Sequence, residues 1–137
     1  MIDATLLDTG PLVAFLAGNE EHHLWATMRF RERSPRFLTC EPVLTEVCYL
    51  LGYTPTAMAH IDRFLERGWI QVPFQLAPQR AAVMKLMRTY QNLPMSLADA
   101  CLVRMAELYH DVPVMTLDQD FQVYRKNGRQ PIPTIMP

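Results

Sequence analysis

Four carboxylates, Asp8, Glu46, Asp99 and Asp118, stand in apolar stretches of the chain where an unpaired acid is costly. Asp8 ends the run Ala4-Thr5-Leu6-Leu7, and Asp118 ends the similar run Val114-Met115-Thr116-Leu117. Glu46 lies one helical turn from Val43 and one from Leu50. Asp99 leads the stripe Leu102, Val103 and Ala106. Residues at such spacings share a direction on a helix. A buried carboxylate without a partner costs several kcal/mol or is driven to protonate. Four of them on core-facing elements are tolerable if they share a cation. The implied site is a divalent-metal site, and its chemistry is phosphate chemistry.

Each acid also has an ordinary structural role available. Asp8 opens the turn Asp8-Thr9-Gly10-Pro11, where Asp and Thr side chains satisfy free backbone amides. Ser96-Leu97-Ala98-Asp99 has the form of a capping box, and Glu46 fits a surface rim. Capping explains less well why two separate strand ends each deliver an acid, because open parallel sheets bind ligands beyond the carboxyl ends of their strands. Capping and metal binding are compatible, since a helix N-terminus beside the site also favours phosphate.

The elements that must position these acids follow from hydrophobic period. Short apolar runs alternate with helix-period segments, the pattern of an α/β fold with a central, mainly parallel sheet of four to five strands flanked by about seven helices. Strands are expected at 4–7, 37–39, 69–72 and 114–117, with an extended tail at 131–137 free to add an edge strand. Helices are expected at 12–16, 20–33, 41–51, 54–64, 77–90 and 96–109, with a short helix or turn at 118–125. The strong amphipathic segment is 77–90, with Val83, Met84, Met87 and Tyr90 on one side.

Bulk properties bound the class. The 137 residues are read as one domain, 1–137, half apolar and one fifth charged, which fits a globular protein able to bury its own core. No apolar stretch is long enough to cross a bilayer, and the N-terminus lacks a signal-peptide pattern. Cys40, Cys48 and Cys101 are odd in number, lack C-x-x-C spacing and lie in apolar surroundings, so buried reduced thiols in a cytoplasmic protein are expected. Net charge is −1, but setting the four suspect acids aside leaves 13 basic residues against 10 acidic ones, about +3. Arg29, Arg31, Arg33 and Arg36 form one basic group and Arg125, Lys126 and Arg129 another; solvated helix faces are the ordinary account of both. This balance permits a phosphate-backbone ligand without demanding one. His22, His23, His60 and His110 lack ligand spacing and belong to the surface or helix ends, and the nine methionines are core filler.

The acids form an ordered set along the chain, within four motifs. These are Leu6-Leu7-Asp8-Thr9-Gly10-Pro11-Leu12-Val13, Val43-Leu44-Thr45-Glu46-Val47, Ser96-Leu97-Ala98-Asp99-Ala100 and Thr116-Leu117-Asp118-Gln119-Asp120-Phe121. They resemble the four motifs of PIN-domain ribonucleases. Length and spacing resemble in particular the small VapC-type toxins of toxin–antitoxin modules. The similarity covers nearly the whole chain, and the T-x-D-x-D-F signature and the late Asp-Ala pair are its more specific parts. The resemblance implies that Asp8, Glu46, Asp99 and Asp118 are the metal-binding, catalytic acids. It adds Asp120 as a fifth ligand, with Thr9 and Thr116 as supporting hydroxyls. It further implies an RNA substrate, a homodimer and a cognate antitoxin protein.

Ligands that are all oxygen select Mg²⁺ or Mn²⁺. The expected reaction is metal-assisted attack of water on an RNA phosphodiester, giving 5′-phosphate and 3′-hydroxyl products. Two other functions compete. A PIN-like domain can act in RNA processing or as a non-catalytic RNA- or protein-binding module, which loss of an acid would favour. Asp8-Thr9-Gly10 also matches the D-T-G triplet of aspartic proteases, but that fold is all-β and this chain is dominated by helix-period segments.

Overall fold

The computed structural model of the chain describes residues 3–32 and 36–137. Strand β1 (Thr5–Leu7) is buried along its length, as expected of a central strand covered on both faces. It pairs in parallel with β2 (Phe37–Leu38) on one side and with β4 (Val114–Met115) on the other. β3 (Ile70–Gln71) lies outside β2, and β7 (Thr134–Ile135) lies outside β4, both parallel. The order is therefore β3-β2-β1-β4-β7. The chain builds outward from β1 to β3, then returns to start the other half beside β1. The strand order thus reverses between β1 and β4, and such a point leaves a crevice beyond the carboxyl ends of the two strands. The register sets Leu7 beside Met115, so the residues that follow them meet at that edge.

Six α-helices flank this sheet among the described residues: α1 (Thr9–Leu16), α2 (His23–Glu32), α3 (Glu41–Leu50), α4 (Pro55–Glu66), α5 (Arg80–Thr89) and α6 (Leu97–Leu108). The α/β class and the parallel sheet are as expected, and they remove the all-β protease reading of Asp8-Thr9-Gly10. The most deeply packed helix is α6, with Ala98, Ala100, Cys101, Leu102, Val103, Met105 and Ala106 all buried. By contrast α5 buries only Val83, the one-sided burial of an amphipathic surface helix.

Several boundaries differ from the sequence pattern for local reasons. The helix expected at 12–16 starts at Thr9, because Asp8 caps it and Thr9-Gly10-Pro11 supply its first turn. The one expected from residue 20 begins at His23, after turns over 18–22, and its expected end at Arg33 lies outside the described residues. The segment 77–90 opens with a 3-10 turn at Ala77–Gln79 before α5. The tail does add an edge strand, β7. A hairpin of β5 (Arg125–Lys126) and β6 (Gln130–Pro131) was not anticipated. Its turn residues Asn127 (φ 53°) and Gly128 (φ 80°) are both left-handed, and Asn-Gly is the dipeptide that most readily adopts this.

Cys40 and Cys101 are free and buried, but Cys48 is only partly buried. Met95, Met105 and Met115 are core residues, whereas Met28 is 47% exposed on α2. No helix of the described residues is long and apolar enough to cross a membrane.

Candidate metal centre at the strand switch point

Asp8 leaves β1 at its carboxyl end, and its backbone N–H donates to the Met115 carbonyl at 3.1 Å, which ties it to β4. Its Oδ1 accepts from the Thr9 N–H at 2.7 Å, the N-cap bond of α1. Its Oδ2 accepts from the Thr116 hydroxyl at 2.6 Å. The same Thr116 oxygen accepts from the Asp118 N–H at 2.9 Å, and Asp118 Oδ1 accepts from the Asp120 N–H at 2.9 Å. Thr116 thus couples the first acid to the last across 108 residues of chain. Close packing supports this corner: a Cβ on Gly10 would come within 3.1 Å of the Leu117 side chain, so glycine lets α1 start against the residue before Asp118.

Asp99 enters from α6. Its Oδ2 accepts from the Ser96 N–H at 3.4 Å while the Ser96 hydroxyl accepts from the Asp99 N–H at 3.0 Å, a complete capping box. The Tyr124 hydroxyl donates to the same Oδ2 at 3.0 Å. Glu46 is reached through Thr9, whose hydroxyl donates to Glu46 Oε2 at 3.1 Å.

The expectation that four acids are buried fails for three of them. Asp8 is buried at 6% exposure, Asp99 and Asp118 are half-buried, and Glu46 is exposed. The reason for Glu46 is visible on α3, where Val43 and Val47 are the buried residues. Leu50, used to infer its direction, is itself 60% exposed, so the last turn projects past the core. Both capping roles, of Asp8 and of Asp99, are real.

Electrostatics still joins three of the acids. Burial pushes the Asp8 carboxyl up to about 6, against the lowering bonds from Thr116 and Thr9, and the charges of Asp99 and Asp118 push the same way. Asp99 is raised by burial, opposed by Tyr124 and Ser96, with the Asp118 charge adding to the rise. Tyr124 is held protonated by burial and by the Asp99 charge. Asp120 bears on Tyr124 through its charge and gives its N–H to Asp118, at the margin of the group.

Two of the cysteines lie close to the motifs. Cys40, which precedes α3, and Cys101, two residues after Asp99, are hydrogen-bonded to each other, and this bond together with burial drives Cys40 upward. Both are fully buried, and soft thiols are unsuited to a hard cation.

Among the described residues, no three His, Cys, Asp or Glu side chains already stand together as an enclosed metal site. The chemistry of the group nevertheless fits one. The donors are all oxygen, and carboxylate oxygens that accept one hydrogen bond keep a further lone pair. Among the described residues the ion pairs are His22–Glu21, Arg29–Glu32 and Arg104–Glu107, so none neutralises these acids. Arg125 of the second basic group is engaged elsewhere: its Nη1 donates to the carbonyls of Gln122, Val123 and Tyr124.

Tyr124 and Tyr90 were missed from sequence. Tyr90 accepts the Arg125 N–H at 2.9 Å and packs edge-on against Tyr124 at 5.1 Å, fixing the ring that holds Asp99. Nothing in local spacing marks a contact between residues 99 and 124.

A parallel α/β sheet whose switch point gathers carboxylates suits a divalent cation and phosphate chemistry. The chain matches the PIN domain family over residues 5–127 and belongs to it. PIN domains are generally nucleases, so the function is nuclease-like and RNA-related. No curated protein matches the chain.

Proposed function

We propose that this PIN domain is a metal-dependent endoribonuclease that hydrolyses RNA phosphodiester bonds to 5′-phosphate and 3′-hydroxyl ends. We further propose that it is the VapC-type toxin of a type II toxin–antitoxin pair in the cytoplasm, working as a homodimer with a cognate antitoxin. The observation that carries the reading is Asp8, buried at the strand switch point under the charges of Asp99 and Asp118 with no cationic side chain among the described residues paired to them. Asp8, Asp99, Asp118 and Glu46 would hold the ion, with Asp120 at its margin, and Mg²⁺ or Mn²⁺ is the cation that such donors select. When bound, it supplies Lewis-acid polarisation of the phosphate and an activated water.

The protein's part is positioning. Thr116 fixes the Asp8 carboxylate and the turn that bears Asp118. Tyr124 and Ser96 fix Asp99. Thr9 orients the exposed Glu46, and the start of α6 turns its positive dipole end toward the same place, where a phosphate is favoured. The toxin assignment rests on the resemblance of the four motifs. Exposed Leu24, Met28, Tyr49, Leu50 and Tyr53 leave apolar surface for self-association or an antitoxin.

The test is cleavage of end-labelled RNA by pure protein with Mn²⁺, with chelator, and in Asp8→Asn and Asp99→Asn variants, followed by mapping of the product ends. Cleavage that survives chelation, or that survives either substitution at full rate, overturns the reading. Co-purification with the product of a neighbouring open reading frame and sedimentation of the pure chain test the antitoxin and the homodimer.

A further inference from the structure

A groove of about 750 Å³ opens beside Glu46. One wall is the first half of α3, with Glu41, Pro42, Thr45 and Glu46. The segment between β3 and α5, with Phe74, Gln75 and Leu76, also lines it, and Leu97 and Ala98 in the first turn of α6 complete the lining. Asp99 follows directly in that turn, so the groove is bounded by two of the helices that present candidate metal ligands.

The lining decides what fits. Its flat apolar surfaces come from Pro42, Phe74, Leu76 and Leu97, and it contains no Lys or Arg among the described residues. Glu41 and Glu46 add two carboxylates, and Glu41 has no ion pair among the described residues. The Thr45 hydroxyl is spent on the Glu41 carbonyl at 3.0 Å. The groove therefore repels a phosphate and accepts a flat, uncharged group that donates hydrogen bonds from its edge. An unpaired nucleobase has this form, and single-stranded RNA is read through such splayed bases.

We infer that this groove is a base-selecting subsite for the nucleotide next to the cleaved phosphodiester, and that Glu41 and Gln75 select guanine. The inference rests on the proposed ribonuclease activity. Among RNA bases, guanine alone offers two adjacent N–H donors, N1–H and the N2 amino group, to the two oxygens of one carboxylate. A Gln75 amide N–H supplies the donor that guanine O6 requires. Glu41 stands five residues before Glu46 on α3, about 7.5 Å along the axis, so a base at Glu41 leaves its phosphate on the side of the metal ligands.

The experiment uses the full chain and short fluorescent single-stranded RNAs that differ only in having G, A, C or U at one position. Binding is read by anisotropy in calcium, which holds phosphate without supporting hydrolysis, and cut sites are mapped in Mn²⁺. Wild type is expected to bind and cut preferentially beside G. Glu41→Gln should reduce that preference on the order of tenfold, the scale of one bidentate base contact. Leu76→Trp, which fills the groove from a partly exposed position, should abolish it while leaving the melting temperature and Mn²⁺ binding unchanged. Cutting with the same base preference in both variants overturns the groove and leaves the ribonuclease standing. Binding that favours G through Glu41, without any cleavage, keeps the groove and overturns the ribonuclease. Binding of a basic peptide through Glu41, with indifference to base identity, overturns the inference in favour of a protein occupant.

Discussion

The edge formed by β1 and β4 and the rim formed by α3 contribute the same functional group in opposite settings. On the edge, Asp8 is buried, both its oxygens are hydrogen-bonded, and Thr116 ties it to the turn of Asp118. On the rim, Glu46 is exposed and joined to the rest through one Thr9 hydroxyl. Low dielectric makes charge repulsion and hydrogen bonding strong at the edge, whereas water screens the rim. The edge therefore stores the energetic demand for a cation, and the rim adds a ligand that costs little to keep. A shared motif does not mean a shared environment.

Substitutions that break this contrast should rank accordingly. The largest effect is expected from Asp8→Asn and Asp99→Asn, each lowering RNA cleavage by more than roughly a hundredfold, beyond the 10–100-fold typical of groups that only orient ligands. Circular dichroism should show both variants folded. Thr116→Val comes next. It removes the donor to Asp8 and the acceptor for the Asp118 N–H together, and should cost about 10–100-fold in Mn²⁺ affinity, read by titration. Thr9→Val, which loosens only the exposed Glu46, should cost several-fold less in the same titration; equal losses would erase the distinction between edge and rim.

Stability without metal sharpens the comparison from another side. The Asp8 carboxyl is raised from 3.8 to about 6 in the fold, so the folded state holds its proton more tightly than the unfolded chain. That contribution is complete below about pH 3.8 and is lost as pH rises through about 6. At 1.36 kcal/mol per pH unit the loss approaches 3 kcal/mol. In chelator above pH 6, Asp8→Asn should therefore melt higher than wild type, and the gap should close toward pH 4. Glu46→Gln should stay within about 0.5 kcal/mol of wild type throughout, as an exposed substitution does. Tyr124→Phe, which deletes the bond to Asp99, should cost about 1 kcal/mol in urea unfolding.

Much of this was legible in the chain because it depends on local pattern. Leu6 and Leu7 before Asp8, and Val114 and Met115 before Asp118, announce strands that end in acids, and both strands lie where expected. Ser96 and Asp99 announce a capping box, and it is complete. The β5–β6 hairpin was not read from the chain: Asn127-Gly128 marks its turn, but its strands are two residues long and carry little hydrophobic alternation. Glu46 was misjudged because helical spacing gives direction and not depth. Whether a helical face meets core or solvent depends on where the helix ends relative to its neighbours.

The sequence by itself determined which residues can bind a cation and on which kinds of element they lie, since donor type and local period are properties of short segments. Only the tertiary structure decided that β1 and β4 are neighbours, that Thr116 and Tyr124 hold the acids, and that Asp8 alone is buried. Those facts turn on contacts between residues 25 to 108 positions apart, which strand order and helix packing create and no local pattern encodes.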